Sequence, residues 1–401
     1  MKHVELDEKP TASRRSFLKK SAFGAGTAVL GAALFPRGVA ALDDHDEDNG
    51  VPVTKDDIAI LTFLSAVEQV EADLWIQYAE LGGATNQGLS PIDLELNGRK
   101  IVTGLAPNYT TALLALDSDM PQYIADNTDD EISHHRFLNN FLVAVGGEPI
   151  DLSSFAVLPP SQVTGVPQTG RLTNLKQLTV ETSWWTRYRS ATANPDLGGD
   201  FENAVPDLAR GQHPAIPRNN DDLALNPDGT PTNHLQAIAN TAGFHFAFIE
   251  QGGTSLYPTL AQKVSNVEVL RVLLSIGGTE IMHFQTWQDK AGNAPNISDG
   301  DLSFPDLNAG VDPNTGASGS DVADLFQTNL IMPEPTLFLN RKLGPVSIIR
   351  PTSRQQSGAV AAVVGLTKDG LFLDPSTGQN TGIVPVLMRL AEKADAARRI
   401  T

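Results

Sequence analysis

Twice in this chain a glutamate stands three residues before a histidine inside a helix-patterned stretch: Glu131-Ile132-Ser133-His134 and Glu280-Ile281-Met282-His283. On a helix that spacing puts carboxylate and imidazole on one face, a turn apart. Two further helical stretches each carry a glutamate in apolar company, Glu71 in the first and Glu250, directly after Phe244 to Ile249, in the third. An unpaired buried glutamate is costly, so the four stretches are expected to turn these six side chains toward one axis. Four carboxylates there would balance two divalent cations, and without a positive partner they would repel one another and some would stay protonated. Oxygen and imidazole donors suit iron or manganese rather than copper held by sulfur, so the expected cofactors are two Fe or two Mn ions.

The periodicity predicts an all-α bundle with helices at about 55–82, 119–146, 233–251 and 265–290. Thr54 is a candidate N-cap with Asp56 and Asp57 in the first turn, and Gly82-Gly83 is the stop. Pro121 suits the first turn of the second helix, and Ser265 with Glu268 reads as a capping box for the fourth. Gly252-Gly253 and Pro258 mark the end of the third. Residues 148–232 are irregular and too long for a simple connection, hence an insertion over one end or side of the bundle, with a helix around Asn174 to Tyr188. Residues 88–108 read as a loop with a short strand pair. Residues 292–401 form a largely irregular C-terminal extension, with short strands near Val360 to Leu373 and an amphipathic helix over Gly382 to Arg399.

Each ligand candidate has a rival. Glu68 shares a face with Glu71, which is preferred because Tyr78 follows it by seven residues, as Tyr257 follows Glu250. Seven residues is nearly two turns, about 10 Å, and long side chains lean back toward the helix start, so Tyr78 is the candidate catalytic residue. Tyr257 is the weaker parallel, being close to the expected helix end. His135 competes with His134 but lacks the three-residue spacing. Glu131 could instead complete a capping box with Thr128. Gly277-Gly278 before Glu280 suits either close helix approach or an opening for a small substrate. Trp184, Trp185 and Trp287 read as packing.

These motifs resemble the ferritin-like superfamily of di-iron and di-manganese carboxylate proteins. The stretch Ala66-Val67-Glu68-Gln69-Val70-Glu71-Ala72-Asp73-Leu74 looks like the exported ferritin-like proteins once labelled desiccation-related. The resemblance covers about 55–82, 119–146 and 233–291. It implies a ferritin-like four-helix bundle with metal ligands Glu71, Glu131, His134, Glu250, Glu280 and His283, of which Glu131 and Glu280 would bridge. It also implies an oxidoreductase acting on oxygen, peroxide or ferrous iron, against the alternative of a non-catalytic stress-related structural or binding protein. The insertion and extension argue against a storage shell, while a smaller oligomer is compatible with the sequence.

The chain has 401 residues, no cysteine, and 29 basic against 47 acidic residues, a formal charge of -18. The missing thiols exclude disulfides, thiolate zinc and Cys-ligated iron–sulfur clusters. The acidic balance argues against nucleic acid as a partner. Ser13-Arg14-Arg15-Ser16-Phe17-Leu18-Lys19-Lys20 precedes a small-residue run and Gly38-Val39-Ala40-Ala41. That is the pattern of a twin-arginine signal over residues 1–41, which implies the twin-arginine translocation machinery as a partner and a periplasmic or secreted product near -22 in charge. Ser21 to Phe35 falls short of the roughly 20 residues that span a bilayer, so no stable membrane span is expected after processing.

Overall fold

The computed structural model describes residues 51–85, 95–96, 99–187, 201–307, 335–337, 345–347 and 357–400. The twin-arginine segment lies outside them.

Four long helices form the core: α1 Lys55–Gly82, α3 Met120–Ala144, α6 Asn233–Ala261 and α7 Val267–Ala291. α1 packs along α3 and α6 along α7, the arrangement of a four-helix bundle. Thr54 and Asp57 complete a reciprocal capping box at the start of α1. The fourth helix differs from expectation at its cap: Asn266, not Ser265, accepts from the Glu268 and Val269 N–H groups. α6 also runs ten residues beyond the predicted end. Its last turns bury Leu256, Tyr257 and Leu260, and this packing carries the helix across Gly252-Gly253 and Pro258.

Among the described residues there are five shorter helices, α2 Pro107–Leu113, α4 Ser183–Arg187, α5 Pro206–Arg210, α8 Ala359–Lys368 and α9 Ile383–Ala396. α2 has Pro at its first turn and packs against α6. Of the helix expected over Asn174 to Tyr188, residues 174–182 are not helical and Ser183–Arg187 form α4, while Tyr188 lies outside the described residues. The strands expected near Val360 to Leu373 are replaced by α8, with strand only at Leu373–Asp374. Among the described residues the strands form four two-stranded antiparallel pairs, such as Ser298–Asp299 on Leu302–Ser303. Among the described residues no helix is long and apolar enough to cross a membrane.

An aromatic layer joins three core helices. Trp75 of α1 stacks on Phe246 of α6 at 4.8 Å between centroids and on Trp287 of α7 at 5.3 Å. The insertion lies against the bundle, fastened by a buried Arg171–Glu80 ion pair of 2.6 Å and by fully buried Trp184 and Trp185.

Candidate metal centre

Next to the aromatic layer, α1, α3, α6 and α7 bring polar side chains into the bundle. Glu68, Glu131, Glu250 and Glu280 have no exposed surface, and His134 and His283 are buried. Their donor atoms form two groups, each with atoms within 4.8 Å of one another: Glu68, Glu131, His134 and Glu280, then Glu131, Glu250, Glu280 and His283. Glu131 and Glu280 belong to both groups. The two imidazole centroids are 6.3 Å apart.

The ring nitrogens show what the cluster fits. His134 Nδ1 lies 3.1 Å from Glu131, 3.4 Å from Glu68 and 3.5 Å from Glu280. His283 Nδ1 lies 3.1 Å from Glu131 and 3.2 Å from Glu250. One ring nitrogen carries at most one proton and cannot bond three carboxylates well. Both oxygens of Glu280 and Oε2 of Glu68 are buried with no hydrogen-bond partner. Orphaned carboxyl oxygens of this kind are rare in a folded interior, and donors converging from four helices on shared space are a set that fits a cation pair. A Cβ on Gly253 would overlap Glu280 Oε2, so this carboxylate occupies room that only glycine leaves.

The electrostatics agree. Burial pushes Glu68 up to about 7, against the pull of His134. Burial also raises Glu280 well above the carboxylate range, helped by the charges of Glu131 and Glu71, and it raises Glu250. Burial would raise Glu131 too, yet His134 and His283 draw it well below the usual value. Burial alone would lower His134, but Glu131, with Glu68, pushes it up to about 12. The chain's own imidazolium protons thus stand where cations would neutralise the same carboxylates.

The surrounding residues orient these groups. Asn127 Nδ2 donates to Glu131 Oε1 and Glu250 Oε1, both at 3.0 Å, while its oxygen accepts from Trp287 Nε1 at 2.7 Å. Asp130 Oδ2 lies 3.0 Å from His283 Nε2. That contact orients the ring with Nδ1 toward the carboxylates, as outer carboxylates commonly do for metal-ligating histidines. Thr128, eight residues inside α3, donates to Ile124 O and Trp75 O and has no capping role.

Five of the six expected ligand residues meet here: Glu131, His134, Glu250, Glu280 and His283. The first helix contributes Glu68 to the groups, whereas Glu71, one turn on, is only partly buried and lines an adjoining cavity. The phenols are exchanged as well. Tyr78 hydroxyl lies 2.7 Å from His245 Nδ1, away from the cluster, and Tyr257 hydroxyl donates to Glu68 Oε1. Asn127 and Asp130 were not singled out from the sequence, and Gly253 was read only as part of a helix end. Asp130 lies directly before the first Glu-x-x-His and Asn127 one turn before it, a neighbourhood that could have flagged both. His135 points away, where burial lowers it to about 4, and His234 sits between Asp222 and Asp299.

A bundle with two overlapping Glu/His groups, sharing two glutamates, defines the class of binuclear carboxylate proteins. A family model described as the ferritin-like domain matches residues 56–292, well over half of the chain, and the chain belongs to that family. No curated protein and no solved structure matches it.

Proposed function

We propose that the protein binds two iron or two manganese ions and works as an oxidoreductase on oxygen, peroxide or ferrous iron. The observation that carries this reading is Glu280: a fully buried carboxylate, both oxygens without a hydrogen bond, shared by the two donor groups. In this reading Glu68 and His134 would hold one ion and Glu250 and His283 the other, and Glu131 and Glu280 would serve both. A bound pair of such ions supplies electron exchange with a small oxidant or with ferrous iron. The chain's part is to fix the carboxylates through Asn127, to orient His283 through Asp130, and to keep bulk water from a site walled by Trp75, Phe246 and Trp287. Tyr257 holds a phenolic proton on Glu68 beside the cluster. That contact makes it a better candidate than Tyr78 for passing a proton or an electron.

Metal content and the near-ultraviolet to visible spectrum test the reading directly. Two iron or two manganese ions per chain are expected. Glu280→Ala should lose at least one, and Glu68→Ala should lose more metal than Glu71→Ala. A folded chain that takes up neither ion, or a Glu280→Ala variant with full metal content, overturns it.

The twin-arginine pattern at Arg14-Arg15 supports a further part of the proposal, export of the chain to the periplasm or beyond. Cell fractionation should find wild-type protein outside the cytoplasm and an Arg14→Lys, Arg15→Lys variant retained inside. Equal export of both chains would remove that part.

A further inference from the structure

A cavity of about 220 Å³ lies beside the cluster, between α1, α6 and α8. Val70 and Leu74 of α1, Phe248 and Leu256 of α6, and Ala362 and Leu366 of α8 give it a largely apolar wall. Two residues of that wall also touch the candidate ligands: the bare Cα of Gly253 faces Glu280 Oε2, and Tyr257 bonds Glu68. Toward the outside stand Gly252 and Gly365, and a Cβ added to either would meet nothing within 4 Å. Open space thus lies beside these two glycines, while Gly253 and Tyr257 stand between the cavity and the candidate carboxylates.

We infer that this cavity receives an uncharged aliphatic molecule, placing an organic co-substrate next to the metal pair. The inference rests on the proposed metal reading for the word substrate, but the binding itself does not require the metals. Size points beyond a diatomic gas or peroxide. An apolar cavity of roughly 150 Å³ accommodates benzene, so this one has room for about eight carbons on the same scale. Charge points away from ions in transit. A hydrated cation would surrender water to a wall of valine, leucine, phenylalanine and alanine, with Glu71 and Glu181 the acidic side chains among the described lining residues, and that loss is expensive. An alkyl chain gains from the same wall by leaving water.

The probe is n-octanol, titrated calorimetrically into the full chain, once chelated free of metal and once reloaded. Saturable binding of one molecule per chain is expected in both states. Gly365→Leu and Ala362→Phe, which fill the cavity from α8, should each weaken it at least tenfold. Val364→Leu, on the exposed side of the same helix, should leave it unchanged, and metal content should stay the same in all three variants. If the chain binds no metal yet still takes octanol, the metal reading fails and the cavity stands. Absence of saturable binding, or undiminished binding in both filled variants, overturns the inference. So does a loss of metal uptake on filling without any octanol binding, which would make the cavity an ion route.

Discussion

His245 and Tyr78 form a buried pair whose chemistry is separate from the metal ligands. The phenol stays protonated, because burial raises it well above its ordinary value, and it can donate to a neutral Nδ1 at 2.7 Å. Burial lowers His245 to about 3, with no acid beside it to hold a proton. An unfolded histidine titrates near 6.5, so between those values the unfolded chain binds a proton that the folded chain refuses. Stability from this residue is complete above about pH 6.5 and is lost as pH falls toward 3. The slope approaches about 1.4 kcal/mol per pH unit. Replacing His245 with Gln, whose carbonyl can also accept from Tyr78, should flatten the acid side of the stability curve by one proton. Urea midpoints of the two metal-free chains between pH 4 and 7 read the difference, and parallel curves would contradict it. The cluster's own titrations are common to both chains and cancel to first order.

Among the elements, what is local in sequence was legible and what depends on a neighbouring helix was not. Each Glu-x-x-His pair depends only on the helical repeat, so the spacing alone predicts that Glu131 and His134, or Glu280 and His283, emerge together. The first-helix contribution is different. Glu68 and Glu71 share a face, and the seven-residue tyrosine spacing favoured the one that the donor groups leave out. The phenol that meets the first-helix glutamate comes from α6, as Tyr257, and spacing within one helix carries no information about the next. Helix ends follow the same division. Thr54 and Pro121 announce starts through their own capping chemistry, whereas α6 passes two glycines and a proline because burial of Leu256, Tyr257 and Leu260 outweighs local propensity. α8, rich in alanine and valine, is an apolar run too short for periodicity to separate helix from strand. Gly277 shows its reason only in three dimensions: a Cβ there would press into Tyr257 Cβ at 2.8 Å, so it is a point of close α6–α7 approach.

At the scale of the whole molecule, the two C-terminal helices, α8 and α9, pack on the bundle. α9 packs on α1, and α8 packs on α9 and α6, closing the side where the apolar cavity lies. One carboxylate fastens this arrangement. Asp395 of α9 accepts from the Ala359 and Val360 N–H groups at the start of α8, at 3.0 and 2.9 Å, and pairs with Lys263, between α6 and α7, at 3.0 Å. Gly358 makes the approach possible, with φ at +120° and no Cβ to strike the carboxylate. Further along, the Arg398 N–H donates to Asp56 and the Ile400 N–H to Ser265, returning the chain to the start of α1. Asp395→Ala would leave two helix-terminal N–H groups and an ammonium without their shared acceptor, a loss of about 1–3 kcal/mol. Because α8 lines the cavity but contributes no residue to the proposed metal site, the variant should take up as much metal as the wild type while binding n-octanol more weakly. It should also be cut faster by protease near Gly358. An unchanged urea midpoint together with wild-type proteolysis would mean that apolar packing of α8 and α9 holds the extension without this carboxylate.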